Sequence, residues 1–502
     1  MVFDSLSRIV RQHRLVTLGF VVFLASFTIY VLSLNAVWGS DHPTAILDLD
    51  YSIFANHSFV LGQVGKYNPG SVDTFVYNGN YYSAVAPGIS FFGFPFAAIG
   101  FMIYGHFSIF GYVMLYSELF VALTNSIAVY FVYKISKLYF SGSISVFLAL
   151  TYAFSTISWP FAEYLFQSDV SAMFVLMAAY FALKFGRNIE ERKTHLRIAL
   201  WSGLAVGAAL TVDYVDAILI PVVFAYILLS TKRFVLSTKI KSLLVFMMGS
   251  GFGLGAIAYY NLMSFGSMFV SSEQLYDHAG TLFGNFTFPL YSGIFLNLFT
   301  PDRGIFLYSP ILVLGIWGFY KMMKSSSTRR ESVFLLTAFL AIFLPYSAWY
   351  GPTGGPGFGP RYIEASIPFL IIPVGSVLAQ LRSKAAYVAV YLLYLSGVLM
   401  NGITGVTGTL TPELHWFASP FLNNSLPNFL SGSIDTWWKS DAGGYWFWPA
   451  FFIITAAATL PLIINFLYRR FNRQIELNSR GEIVLSTGTH TRLWETDPPN
   501  KK

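Results

Sequence analysis

A chain of 502 residues with 55% hydrophobic, 18% aromatic and only 11% charged residues excludes a soluble globular protein. The net charge of +7 is distributed as a membrane topology signal rather than as a nucleic-acid-binding face. The absence of cysteine excludes disulfides, thiolate metal sites and thiol nucleophiles.

Arg8, Arg11 and Arg14 precede a first apolar run, 15–36, with no small-residue cleavage pattern after it. This reads as an uncleaved signal anchor with a cytoplasmic N-terminus. The stretch 37–87 follows and is a long polar interruption, with Gly39-Ser40-Asp41-His42-Pro43-Thr44 at its start and Asp48-Leu49-Asp50-Tyr51 close behind. An acid with proline in the first turn is a helix start. A helix over 42–56 places Asp41, Thr44, Asp48 and Tyr51 on one face and turns Ile46, Leu49, Ile53 and Phe54 towards lipid, an interfacial amphipathic helix.

The segment 88–105 is apolar enough to be taken for a span, and the basic residues decide. If it lies at the outer interface, surface-lying or re-entrant, every Lys and Arg is cytoplasmic except Lys66, Arg303, Arg361 and Lys439. The opposite parity exports nearly all the basic loops. The resulting expectation is an all-α polytopic membrane protein with about twelve spans: 16–36, 111–133, 142–158, 170–186, 197–213, 215–231, 242–262, 304–322, 332–348, 363–381, 385–403 and 446–468. A membrane domain over 1–470 then carries long outer loops at 37–110, 263–303, 349–362 and 404–445, with a cytoplasmic tail at 471–502. The acids lean towards the outer side, so the working face is external.

Several residues could carry chemistry there. Asp41 is a candidate general base or simply a helix cap, with Asp48 and Asp50 competing for the role of base. Asp169 opens a helix after the outer stretch Trp159-Pro160-Phe161-Ala162-Glu163-Tyr164-Leu165-Phe166, and it too can be read as a cap. Glu163 is a weaker candidate in that stretch. Asp213 and Asp216 read as a solvated turn around Tyr214. Glu118 falls inside a span, where a carboxylate is costly; its role stays open. Arg361 ends the loop Trp349-Tyr350-Gly351 to Gly359-Pro360-Arg361-Tyr362, where glycines let backbone amides approach a ligand and a guanidinium can bind phosphate oxygens in bidentate fashion. The alternative for Arg361 is interfacial snorkelling. Arg303, in Thr300-Pro301-Asp302-Arg303-Gly304, is either a second phosphate ligand or the local partner of Asp302. His42, His57, His106, His278 and His415 are scattered, no metal-ligand spacing occurs, and neither a Walker loop nor a dinucleotide fingerprint is present. No cofactor is indicated, and a divalent metal is left open.

Taken together, these residues resemble the GT-C superfamily of polytopic glycosyltransferases, in its protein-mannosyltransferase and aminoarabinose-transferase-like branch. The likeness runs over most of residues 1 to 400 and rests on the order and sidedness of its motifs. The acidic motif of that branch corresponds to Gly39-Ser40-Asp41-His42-Pro43, with His42 where a second acid is frequent. Tyr81-Tyr82-Ser83 to Pro87-Gly88, followed by an apolar non-spanning helix, looks like the second surface helix of such proteins. Asp169 matches their second acidic position. Pro301-Asp302-Arg303-Gly304-Ile305-Phe306-Leu307-Tyr308-Ser309-Pro310 and the loop to Arg361 resemble two further motifs of prokaryotic members.

The resemblance implies inverting transfer of a sugar from a polyprenyl-phosphate donor to a hydroxyl on a glycan, lipid or protein acceptor, at the outer face of a prokaryotic plasma membrane. In that scheme Asp41 is the base and Asp169 orients the acceptor or the base. Arg361, with Arg303, holds the donor phosphate, and Asp50, Tyr82, Tyr362 and Glu163 are further substrate contacts. A glycan ligase of related fold is the nearest alternative. A secondary transporter or lipid flippase is the alternative from another class, but transporters place ionisable groups near the bilayer midplane and show internal repeats.

Overall fold

The computed structural model describes residues 2–34, 41–63, 73–104, 112–190, 196–231, 235–276, 284–412 and 415–436, together with the pairs 476–477 and 483–484; side chains at 2–17, 104, 112–114, 189–190 and in those two pairs are not described. The chain falls into two units, Met1–Ala450 and Phe451–Lys502. In the second, Glu476–Leu477 pairs antiparallel with Ile483–Val484. The expected last span, 446–468, lies outside the described residues.

The first unit is helical. Helices α1 (Val2–Ser33), α2 (Asp41–Asn56), α3 (Gly88–Tyr104), α4 (Tyr112–Ser136), α5 (Gly142–Phe154), α6 (Gln167–Glu190) and α7 (Leu196–Val212) form its first half. They are followed by α8 (Leu219–Ser230), α9 (Leu236–Phe265), α10 (Leu290–Phe299), α11 (Val313–Lys324), α12 (Arg329–Ala348), α13 (Ile367–Leu378) and α14 (Lys384–Thr407). Each of the first eleven expected spans coincides with a helix or a broken helical pair. Among the described residues six helices are long and apolar enough to cross a membrane, and α1, α3, α5, α7, α8 and α10 add shorter apolar segments. The protein is a multi-pass integral membrane protein.

The helices differ in what they face. In α6, 83% of the apolar window is buried, against 28% in α9. α6 is therefore central, while α9 turns Leu244, Met248 and Phe252 outward. In lipid, apolar side chains gain nothing by leaving the tails, so helices associate through close packing of small residues. Gly203 and Gly207 on α7 meet Gly249 and Gly253 on α9, and a Cβ on Gly249 would lie 2.7 Å from the Leu200 carbonyl oxygen. Gly249→Val is expected to force the pair apart and to destabilise the protein by about 1–3 kcal/mol, the usual cost of overpacking. Thermal unfolding in detergent measures it, and an unchanged midpoint would show that the seam yields.

Two features of the described residues between 41 and 104 differ from expectation. Tyr77-Asn78-Gly79-Asn80 closes a hairpin between β1 (Thr74–Tyr77) and β2 (Asn80–Ser83). Asn78 and Gly79 have φ of 49° and 81°, the left-handed pair of a type I′ turn. The second concerns α2, which is not amphipathic towards lipid. Ile46, Leu49, Asp48 and Asp50 are all at most 2% exposed, because the helix packs against α3 and the hairpin.

Candidate active site

The loop from Trp349 to Arg361 builds the centre of the site. Gly354 and Gly359 hold φ near +74° and +72°, conformations open to glycine at little cost. A Cβ at Gly354 would also lie 3.0 Å from the Arg361 Nε. Both features let the chain fold back over Arg361. The guanidinium stacks 4.3 Å above the Phe166 ring and 5.2 Å from that of Tyr362. Its Nε is buried without a protein partner. Tyr362 in turn stacks on Tyr346, 5.1 Å away with the rings 17° apart.

Acids gather around this cation. Asp169 lies at the start of α6 and is fully buried. It accepts a 3.0 Å hydrogen bond from the Asn125 side-chain amide, shares a bond with Glu364 and feels the charge of Arg361. Glu364 sits one turn after Arg361 and is also fully buried. Asp73, just before β1, lies 3.6 Å from the His42 Nδ1. Burial pushes the Asp73 carboxyl up, but the hydrogen bond and charge of His42 and the charge of Arg361 outweigh it and hold the group below the usual range. The His42 ring rests against Phe166, 5.3 Å between centroids. Asp41, beside His42, opens α2 at this end of the molecule.

Several expected site residues are engaged elsewhere. Arg303 is 1% exposed and acts as a clamp on the glycine loop. Its guanidinium donates to the carbonyls of Gly355 (2.9 Å), Gly359 (3.2 Å) and Gly357, and its Nε lies 3.2 Å from Asp302. That leaves no fork for a phosphate; a buried cation must spend its donors locally. Asp48 accepts from the backbone amides of Gly62 (3.3 Å) and Gln63 (3.0 Å) and from Ser52, so it shapes the turn after α2. Asp50 is turned inward near Ser90 of α3, and burial raises its carboxyl well above the usual range. Tyr82 packs on Phe265 at 5.2 Å, in an aromatic core with Leu49 and Tyr260. Glu163 is fully buried beside Ser33, Gly405 and Glu118, and burial raises it well above normal. Glu118 is 1% exposed and belongs to that second cluster.

Asp213 and Asp216 are not solvated. They are 6% and 1% exposed; Tyr346 donates to Asp213, and Ser171 donates to Asp216. Of the expected residues, then, Asp169, Arg361 and Tyr362 come together, with Asp41 adjoining through His42. Phe166, Asp73, Glu364 and Tyr346 are members the sequence did not disclose. The Tyr77-Asn78-Gly79-Asn80 turn could have flagged the hairpin that brings in Asp73. Nothing local marks Phe166 as a platform.

Beside this cluster lies a cavity of about 500 Å³, lined mainly by apolar side chains including Leu210, Ile257, Phe269, Phe286 and Pro345. Trp349 also lines it, 6.2 Å from the Tyr346 ring that stacks on Tyr362. Among the described residues no group of acids and histidines is arranged to hold a metal ion.

Residues 95–252 match the family model described as dolichyl-phosphate-mannose-protein mannosyltransferase. No curated protein matches the chain by sequence. Among solved structures, the fold is similar to that of ArnT from Cupriavidus metallidurans bound to undecaprenyl phosphate. That match has a TM-score of 0.53 and 16% identity, over 91% of this chain and 72% of that one. Weaker likenesses are to the archaeal oligosaccharyltransferase AglB from Archaeoglobus fulgidus, in complex with an inhibitory peptide and a dolichol-phosphate (TM-score 0.46, 12% identity, 81% of this chain and 57% of that one), and to the arabinosyltransferase EmbB from Mycobacterium smegmatis (0.43, 12%, 89% and 41%). Residues 95–252 are therefore similar to the mannosyltransferase family model, and the fold of the chain is similar to that of ArnT.

Proposed function

We propose that the protein transfers a sugar from a polyprenyl-phosphate donor to an acceptor hydroxyl at the outer face of the membrane, with inversion at the anomeric carbon. The observation that carries this reading is Arg361: a cation with a buried, unpartnered Nε, held under a glycine loop and one aromatic stack away from an apolar cavity. A lipid phosphate needs such a pairing of a guanidinium with a greasy slot. The ligands named for the ArnT and AglB structures, undecaprenyl phosphate and dolichol-phosphate, support the class of donor.

In this reading the isoprenoid chain enters the cavity past Trp349 and the phosphate meets Arg361. Asp41 takes the acceptor's proton as the acceptor oxygen attacks, and the polyprenyl phosphate leaves with the bonding electron pair. Asp169, braced by Asn125 and Glu364, orients the acceptor or the base. Most of the rate comes from positioning and from preorganised charge. In this reading both termini are cytoplasmic and the site is external, a sidedness that the distribution of Lys and Arg supports. The test is transfer of labelled sugar from a polyprenyl-phosphate donor in proteoliposomes; catalysed transport of the lipid without sugar transfer would favour a flippase instead.

Arg303 has a supporting part in this scheme. Arg303→Met is expected to release the glycine loop and leave Asp302 buried without its cation, destabilising the protein by ~3–5 kcal/mol, as breaking a buried pair does. A variant as stable as the parent but devoid of donor binding would instead return Arg303 to the phosphate.

A further inference from the structure

His42 has no part in the scheme above, yet it is built into the site. It stands second in α2 and is 7% exposed. Its ring and the Arg361 guanidinium rest against the same Phe166 side chain, at 5.3 Å and 4.3 Å. Nδ1 is turned to Asp73 at 3.6 Å. Nε2 is buried with no protein partner.

Charged groups reach this ring from every side. Asp41 precedes it on its own helix, and Asp73 faces it from the hairpin. Asp213, from the turn after α7, is close enough to feel its charge. Arg361 lies beyond Phe166. The carboxylate facing Nδ1 fixes the orientation of the ring and aims Nε2 away from itself.

The chemistry of the proposed donor supplies a use. A polyprenyl-phosphate sugar is a phosphodiester with a single negative charge, whereas the departing polyprenyl phosphate is a monoester that gains another. Arg361 matches the charge present throughout. A group that meets only the added charge stabilises the transition state more than the ground state, and so speeds the step.

We propose that His42, as an imidazolium steadied by Asp73, is the second cation of the phosphate site and donates Nε2–H to the phosphate oxygens as the sugar leaves. The inference rests on the donor assignment above. The bond that breaks joins the anomeric carbon to the phosphate oxygen, which keeps the electron pair. The new bond runs from the anomeric carbon to the acceptor oxygen, whose proton passes to Asp41. His42 keeps its own proton throughout.

The experiment measures binding of two lipids to the full-length protein in detergent at neutral pH: undecaprenyl phosphate, the monoester, and its methyl phosphodiester, which stands in for the donor's charge. The wild type is expected to bind the monoester at least about tenfold more tightly, a difference of roughly 1.4 kcal/mol. His42→Gln is expected to erase that preference while leaving diester affinity within about twofold, so retained diester binding doubles as the folding control. Equal affinity of the wild type for the two lipids overturns the inference. So does a monoester preference that survives His42→Gln, or loss of both lipids together in that variant. If the wild type binds neither lipid, the donor reading itself fails, a result distinct from the others.

Discussion

Arg361→Ala is expected to reduce sugar transfer by ~10²–10³-fold or more, the scale for removing one preorganised donor to a developing anion. The loss should appear in donor binding as well as in turnover, because the cation meets the phosphate before and during reaction. Arg361→Lys should recover only part of it. An ammonium keeps the charge but has neither the planar fork nor the flat face that stacks on Phe166 at 4.3 Å. Thermal stability measured in parallel separates the loss of stacking on Phe166 and Tyr362 from the loss of the phosphate contact. Binding of a polyprenyl phosphate and transfer in proteoliposomes check the prediction together. Full transfer by a correctly inserted Arg361→Ala protein would remove this residue from the site and leave the apolar cavity without a phosphate anchor.

Asp41→Asn is the second large effect expected. Asparagine caps a helix as well as aspartate does, so α2 should start where it does now. The proton acceptor is gone, and transfer should fall by something like ~10²–10⁴-fold, as is typical for loss of a general base. Asp48→Asn provides the contrast. Its carboxylate is spent on the amides of Gly62 and Gln63, so the change should cost stability, about 1–3 kcal/mol for disturbed buried hydrogen bonds, and little turnover per folded molecule. Asp50→Asn should be mild in both respects, since that side chain is turned in towards Ser90 of α3. Thermal stability and transfer measured on the same preparations separate these outcomes. Near-native turnover in Asp41→Asn would end its assignment as base, and a stable but inactive Asp48→Asn protein would transfer the role to Asp48.

Arg303 and Arg361 look alike in the sequence, each an outer cation beside glycine and proline. What separates them is where their donors point. Arg303 is turned into the carbonyls of residues 355, 357 and 359, while Arg361 lies on an aromatic face with its Nε unspent. Likewise Asp41, Asp48 and Asp50 form one acidic run, but Asp48 and Asp50 are at most 2% exposed and turn to different internal partners. Helical periodicity allots residues to faces of a helix, yet it cannot reveal that both faces of α2 are covered.

The sequence by itself determined the membrane class, the position of each described span and the helix over 88–104, because hydrocarbon thickness and the cost of exposing backbone amides act locally on runs of about 20 residues. The scarcity of charge in so apolar a chain drew attention to Arg361, while Asp169 and Tyr362 entered through a capping position and the family resemblance. Only the tertiary structure decided which of these side chains meet. Phe166, Asp73 and His42 join Arg361 and its neighbour Glu364 from three separate segments, and their proximity depends on packing that no local pattern encodes. Burial then sorts the charges. A polar group whose donors or acceptors are spent on the backbone, as in Arg303 and Asp48, becomes part of the scaffold.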